Sequence, residues 1–258
     1  MTQIALCQLN SGDDPEANLK LIREGVESAA ASGARIVVFP EATMARFGRP
    51  LDPVAEPLDG PWASAVAAVA AEHDVVVVAG MFTPAGERVR NTLLVTGGGL
   101  HLGYDKIHLY DAFGFAESDT VAPGSAPVTF VLDGVTFGVA TCYDVRFPEL
   151  FRSLSAAGAQ LLTIPSAFTS PTGRAHWETL LRARAIENLC YVIAPAQSGF
   201  HPSGRETYGD SMIVDYWGRV LQRLPRGRGS VVADIDLGAQ AEVRNNFPAL
   251  QHRIFRNS

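Results

Sequence analysis

Three side chains that could do nucleophilic chemistry lie at or near the ends of apolar, strand-like runs. Glu41 closes the run 36–40, Lys106 lies in the alternating segment 104–110, and Cys142 follows the run 135–141. Strand ends in α/β folds are where catalytic groups gather, because the scaffold there is rigid and loops shape a pocket. A thiol nucleophile, a carboxylate base and an ammonium group that stabilises an oxyanion would together suit acyl transfer.

Each of these residues also has an ordinary structural interpretation. A free cysteine most often behaves as a small buried hydrophobe, and this interpretation is kept for Cys7 and Cys190, which lie inside apolar runs. Glu41 would equally serve as a helix N-cap or in a surface ion pair, and Lys106 would point to solvent. Charged residues follow Cys142 closely, and nearby charge is what a reactive thiol needs.

Alternating strand-like and helix-like segments surround these residues and predict one α/β domain spanning residues 1–258. Helices are predicted at 16–31, 62–72, 148–157 and 175–188. Strands are predicted at 4–9, 35–39, 75–80, 160–164, 191–194, 211–214, 220–224 and 231–235. Glycine-rich turns predict antiparallel hairpins over 91–105 and 128–140, so the sheets should be mixed, and 225–229 is predicted to be a hairpin turn.

Composition narrows the class of protein further. The 258 residues are 47% hydrophobic and 19% charged, which is ordinary for a globular protein, and the net charge of −6 gives no electrostatic footprint for nucleic acid or an anionic membrane. The three cysteines form no CxxC pair, and the histidines show no metal-ligand spacing. We therefore expect a small-molecule partner, no metal and a cytoplasmic location.

The segments around the three reactive residues resemble the signature blocks of the nitrilase (carbon–nitrogen hydrolase) superfamily, in the family's order. The blocks are residues 39–41 (FPE), 104–109 (YDKIHL) and 142–150 (CYDVRFPEL). The resemblance continues through 117–120, 165–168, 172–177, 182–187 and 208–211, and so covers almost the whole chain. Three blocks in one order are a specific signal.

This resemblance implies a four-layer αββα sandwich with two mixed sheets, usually assembled as a homodimer or higher oligomer, and no cofactor. It implies that Glu41 takes the proton of Cys142, which attacks an amide carbon, while Lys106 and the backbone N–H of Tyr143 hold the oxyanion. Glu117 matches a glutamate that positions the lysine and substrate. Ammonia then leaves, and water cleaves the thioester.

Residues 142–147 resemble the branch of omega-amidases and deaminated-glutathione amidases. The expected substrate is therefore a small carboxylate-bearing amide, either deaminated glutathione or an omega-amide of a 2-oxo acid. Five residues are candidates for substrate binding: Tyr143, Arg146, Phe168, Arg174 and His176. Arg146, Phe168 and Arg174 would equally serve as structural ion-pair or core residues. The segment 109–116 departs from both subgroups and is expected to line the pocket.

Other functions remain open at this point. The same scaffold supports nitrilases and N-carbamoyl amidohydrolases, which turnover of nitriles or carbamoyl compounds would reveal. A non-catalytic binding protein is a further alternative, and only an assay separates it from an amidase. His176 paired with Cys142 would suggest a cysteine protease, but His176 is better explained as packing or capping at the start of a helix.

Overall fold

A computed structural model describes residues 2–202 and 204–255. Apolar and β-branched runs form the strands of two large sheets and two short hairpins. The strands are β1 (Thr2–Gln8), β2 (Ile36–Val38), β3 (Val76–Ala85), β4 (Arg88–Gly97), β5 (Leu100–Asp105), β6 (Asp111–Ala112), β7 (Phe115–Ala116), β8 (Val128–Leu132), β9 (Val135–Val139), β10 (Leu161–Thr163), β11 (Tyr191–Ala194), β12 (Ser198–Phe200), β13 (Glu206–Tyr208), β14 (Ser211–Val214), β15 (Val220–Leu224) and β16 (Gly229–Ile235).

Five α-helices lie within the described residues. They are α1 (Pro15–Ala31), α2 (Pro61–Glu72), α3 (Pro148–Ala156), α4 (Ser170–Asn188) and α5 (Leu237–Asn246). Four of them, α1 to α4, pack on the sheets. Proline lies in the first turn of each of the first four, where its missing N–H costs no hydrogen bond. In the described part of the chain, no helix combines the length and the apolar character needed to cross a membrane.

The two six-stranded sheets have similar layouts. The order of the first is β16-β1-β2-β3-β4-β5, and that of the second is β15-β14-β11-β10-β9-β8. Each sheet has a parallel centre, β1-β2-β3 in one and β9-β10-β11 in the other, with antiparallel strands on both sides. The carboxyl ends of the parallel strands therefore lie at one edge of each sheet, where the loops that follow can meet.

Three apolar clusters show how the layers stack. One cluster joins the two sheets face to face and includes Ile4 and Leu93 from the first and Phe137 from the second, whose ring stacks on Phe130 at 4.8 Å. A second cluster packs α1 and α2 on the first sheet, and a third packs α3 and α4 on the second. The order helix, sheet, sheet, helix confirms the predicted four-layer αββα sandwich.

Most predicted elements are present, and the differences have physical causes. Helix α4 begins at Ser170 rather than at 175, and helix α5 was not predicted because few of its residues are apolar. Asp236 caps α5 by accepting the N–H of Ala239, and Gln240 donates to two backbone carbonyls of neighbouring segments. The prediction of a hairpin turn at 225–229 was wrong, since this segment crosses from β15 in one sheet to β16 in the other.

Candidate active site

Glu41 stands just beyond the carboxyl end of β2. The backbone continues the strand pairing there, with the N–H of Phe39 donating to the carbonyl of Val78 at 2.7 Å. Gly80 on the neighbouring β3 allows this close approach, because a Cβ at that position would lie 2.4 Å from the backbone nitrogen of Ala42. The Glu41 side chain is only 1% exposed. A buried carboxylate is thus held on a rigid strand end.

Lys106 follows β5 directly and is 2% exposed. Its Nζ donates to Glu41 Oε1 at 3.0 Å and to both carboxylate oxygens of Glu117 at 3.0 and 2.8 Å. Glu117 lies in a 3-10 turn after β7, and its Oε2 also accepts the backbone N–H of Tyr110 at 2.7 Å. One buried ammonium group therefore bridges two buried carboxylates.

Asn91 joins the same two carboxylates from β4. Its Nδ2 donates to Glu41 Oε1 at 2.8 Å and to Glu117 Oε1 at 3.2 Å. The remaining oxygen of Glu41, Oε2, accepts the backbone N–H of Ala167 from the second sheet's side at 2.8 Å. Glu41 thus has partners on both oxygens, which fix the orientation of its carboxylate.

Cys142 occupies the turn between β9 and α3. Its φ of 48° lies in the left-handed region that residues with a side chain seldom adopt, and its N–H donates to the carbonyl of Pro165 at 3.0 Å. A strained residue at the end of a strand is typical of functional sites, where the surrounding structure holds it in place. The Cys142 side chain is half-buried, whereas Cys7 and Cys190 are buried in the core as predicted.

Asp144 connects the Cys142 turn to the Lys106 segment. Its fully buried carboxylate accepts hydrogen bonds from the N–H of Thr141 at 2.9 Å and the hydroxyl of Tyr104 at 2.7 Å through Oδ2. Through Oδ1 it accepts the N–H of His108 at 3.0 Å and also contacts His108 Nδ1 at 2.7 Å. Because Tyr104 and His108 flank the lysine, one carboxylate sets the cysteine and lysine segments relative to each other.

The charges around Cys142 shift the pKa values of the central groups. Burial disfavours the ammonium form of Lys106, but the carboxylates of Glu117 and Glu41 outweigh burial, and its pKa is raised well above the usual range. Burial, and then the negative charge of Glu41, raise the pKa of the Cys142 thiol, although Lys106 opposes them. Burial and the Glu41 charge thus favour the protonated thiol over the thiolate in the free site.

These groups line one pocket, here called the central pocket, of about 420 Å³. Its wall is formed by Glu41, Phe47, Lys106, Tyr110, Phe115, Glu117, Cys142, Tyr143, Arg146, Ala167, Phe168, Thr169, Thr172 and Arg205. Three of the five residues predicted to bind substrate are therefore at the pocket, namely Tyr143, Arg146 and Phe168. The Arg146 guanidinium lies over the rings of Tyr143 and Phe168, at 5.6 and 5.4 Å from their centroids.

The other two predicted substrate-binding residues lie outside the central pocket. Arg174 is exposed and lines an outer cavity of about 1220 Å³, which shares Tyr110, Phe115 and Arg205 with the central pocket. His176 is exposed on α4, within the helix rather than at its start, and its Nδ1 is 3.3 Å from an Arg146 nitrogen. His176 is not part of the central pocket's wall, which gives the cysteine protease alternative no support.

The segment 109–116 lines both cavities, as expected. It forms the β6–β7 hairpin, whose tip residue Phe113 is 88% exposed and has a φ of 55°. Tyr110 and Phe115 from this segment face the central pocket. Within the part of the chain that the structure describes, no group of three or more His, Cys, Asp or Glu side chains could hold a metal ion.

Comparison with known proteins places the chain among enzymes. Residues 3–245 match the model of the carbon-nitrogen hydrolase family. A Mycobacterium tuberculosis protein named as a hydrolase is 44% identical over 266 residues, covering 97% of this chain and 95% of that protein. Human deaminated glutathione amidase is 40% identical over 268 residues, covering 97% of this chain and 81% of the human protein.

A solved structure agrees with these relatives. The crystal structure of the C. elegans NitFhit protein superimposes with a TM-score of 0.92 at 35% identity and covers 98% of this chain. This chain spans only 65% of the NitFhit chain. Together the matches confirm the resemblance drawn from the three sequence blocks: the chain belongs to the carbon–nitrogen hydrolase family, the nitrilase superfamily, and is a hydrolase of carbon–nitrogen bonds other than peptide bonds.

Proposed function

We propose that this protein is a cysteine-dependent amidase that cleaves the amide bond of a small carboxylate-bearing substrate through a thioester intermediate. The observation that carries the proposal is the bridge from Lys106 Nζ to Glu41 and Glu117, at 2.8 to 3.0 Å, beside the Cys142 thiol in one pocket. A base, an electrostatic stabiliser and a nucleophile are thereby brought together from three separate strand ends.

The raised pKa of the Cys142 thiol defines the first step. Because the thiol is protonated, the Glu41 carboxylate accepts its proton as the sulfur attacks the amide carbon. Negative charge develops on the amide oxygen, and the Lys106 ammonium and the backbone N–H of Tyr143 stabilise it. Glu117 acts as a positioning residue, since it holds the ammonium group at both carboxylate oxygens.

The second half of the reaction restores the enzyme. Glu41 returns the proton to the amide nitrogen, the C–N bond breaks, and the acyl group remains on the Cys142 sulfur as a thioester. Water then attacks the thioester carbon while Glu41 takes one of its protons, the C–S bond breaks, and Glu41 reprotonates the sulfur. The products are a carboxylic acid and an amine, which is ammonia when the amide is primary.

Deaminated glutathione and omega-amides of 2-oxo acids are the proposed substrates. The relative named deaminated glutathione amidase supports the first. Arg146 supports a carboxylate-bearing substrate more generally. Its guanidinium lines the central pocket, and no carboxylate of the described residues lies within ion-pair distance of it.

We also propose that the chain forms a single domain, assembles as a homodimer or higher homo-oligomer and is located in the cytoplasm. Light scattering, which measures the mass in solution, tests the oligomeric state.

Amine release is the test of the proposed activity. Wild-type protein is incubated with deaminated glutathione, 2-oxoglutaramate, simple aliphatic amides, a nitrile and an N-carbamoyl amino acid, and the liberated amine or ammonia is measured. We expect release from at least one amide, abolished in Cys142→Ala and Cys142→Ser. Cys190→Ser is the matched control, because its hydroxyl can replace the thiol that donates to the Ala159 and Asn188 carbonyls far from the pocket. Turnover of the nitrile or carbamoyl compound alone would contradict the amidase assignment.

A further inference from the structure

A third cavity, here called the side cavity, adjoins the central pocket and has a volume of about 270 Å³. The two cavities share Phe47, Ala167 and Arg205. The polar members of the side cavity's wall are Arg46, Gln197, His201, Arg205 and Thr207. The side cavity therefore brings these polar side chains next to the reactive groups of the central pocket.

Arg205 is the charged group at the junction of these cavities. Its Nε is buried without a hydrogen-bond partner, and the described residues provide no carboxylate within ion-pair distance of its guanidinium. The guanidinium carbon lies 5.4 Å from the centroid of the Phe115 ring, a cation–π contact. An unpaired, partly buried guanidinium is costly unless an anion joins it.

The other charged wall residue is already neutralised. Arg46 forms an ion pair with Asp13 at 3.0 Å, so its charge is compensated within the protein. Asp13 is thus taken up by Arg46, and no carboxylate among the described residues lies within ion-pair distance of Arg205. The side cavity therefore carries one uncompensated positive charge, that of Arg205.

His201 adds an unpaired acceptor to the same recess. It is 9% exposed, and its Nδ1 is buried without a partner. Its Nε2 is 2.9 Å from the Thr207 hydroxyl, which itself donates to the carbonyl of Gly199, so Nε2 carries the proton and Nδ1 does not. Burial, and then the charges of Arg46 and Arg205, lower the pKa of His201, which keeps this imidazole neutral.

We infer that Arg205 binds a second carboxylate of the substrate, remote from the scissile amide, and that His201 accepts a hydrogen bond from a donor beside that carboxylate. Arg146 is the separate group expected to hold the first carboxylate in the central pocket. The substrate class is therefore an amide that carries two carboxylates. This inference rests on the proposed function only in taking the bound molecule to be the substrate.

Binding without turnover tests the inference directly. Cys142→Ala protein is titrated calorimetrically with glutarate, adipate and pimelate, and with the monocarboxylates of the same chain lengths, valerate, hexanoate and heptanoate. We expect the best dicarboxylate to bind about 10- to 100-fold more tightly than its matched monocarboxylate, the range that one charge-assisted contact supplies. Adding Arg205→Gln should reduce that ratio to about 3-fold or less.

Three further variants make the result specific. Arg205→Lys should restore part of the preference, because it keeps the charge but not the paired N–H groups. Arg146→Gln should weaken binding of both ligand series, and Arg23→Gln, whose exposed side chain pairs with Glu72 on the helical face, should change nothing. No dicarboxylate preference, or a preference that survives Arg205→Gln, would overturn the subsite. Because no turnover is involved, neither result depends on whether the amidase activity is present.

Discussion

Replacing Asp144 by asparagine should damage both the stability of the fold and the placement of Cys142. The two oxygens of the Asp144 carboxylate each accept a backbone N–H, that of His108 at Oδ1 and that of Thr141 at Oδ2. An asparagine side chain has one carbonyl oxygen and one NH₂ group. Whichever way the amide is turned, one buried backbone N–H must therefore face a donor instead of an acceptor.

The size of the effect follows from this count. One buried, unsatisfied backbone N–H costs about 1–3 kcal/mol, and the bonds that remain lose the strength that a charged acceptor gives. We expect Asp144→Asn to lower the free energy of unfolding by about 2–4 kcal/mol and Tm by about 5–15 °C. A shift of about 1 Å in the thiol position would lower kcat about 100-fold.

Thermal unfolding and steady-state kinetics measure the two effects, and Asp215→Asn is the matched control. Asp215 is also a buried carboxylate, but a single oxygen, Oδ1, accepts both of its backbone N–H bonds, from Trp217 and Arg219 at 2.8 Å. The asparagine carbonyl can keep both, so the control should lose less than about 1 kcal/mol. Equal losses in the two variants, or an Asp144→Asn enzyme with wild-type kcat, would show that the two oxygens of Asp144 do not hold the cysteine turn in place.

Three other predictions concern the buried charges. Glu41→Gln removes the general base, so amine release should fall about 100- to 10,000-fold. It also removes a negative charge that raises the pKa of the Cys142 thiol, so iodoacetamide should alkylate Cys142 faster at fixed pH. Slower alkylation would contradict this. Lys106→Met leaves Glu41 and Glu117 buried without their cation, and denaturant unfolding should show a loss of about 3–5 kcal/mol, whereas an unchanged midpoint would exclude the ion bridge. Asn91→Ala removes one donor to both carboxylates, and kcat should fall by about 10-fold with the fold retained, as checked by circular dichroism.

The sequence was sufficient to predict the layered fold and part of the central pocket's wall, but it also named Arg174 and His176, which lie outside that wall. Strand-like runs ending at Glu41 and Cys142 are local patterns, and the three family blocks carry their order along the chain. The central strands are also recognisable locally, because apolar runs buried on both faces differ from ordinary amphipathic segments. These features depend on neighbours in the chain rather than on remote contacts.

Other parts of the site depend on contacts between distant segments. Asn91 lies within the predicted hairpin. It reaches Glu41, 50 positions away, only because β4 pairs with β3, which in turn pairs with β2. Arg205 is one of many arginines in the sequence. It is distinguished by its Nε, which is buried and has no hydrogen-bond partner among the described residues. Asp144 is one of the charged residues that follow Cys142, but its partners Tyr104 and His108 lie in another segment. Burial and pairing of this kind have no local pattern in a single sequence.

Partitioning of the acyl group between water and hydroxylamine tests whether a thioester forms on Cys142. A primary and a secondary amide with the same acyl group are hydrolysed in the presence of hydroxylamine, and the ratio of hydroxamate to free acid is measured. We expect one ratio for both amides, since both form the same acyl-enzyme, and no hydroxamate with Cys142→Ala. A ratio that depends on the leaving amine, or hydroxamate formed equally well by Cys142→Ala, would contradict it.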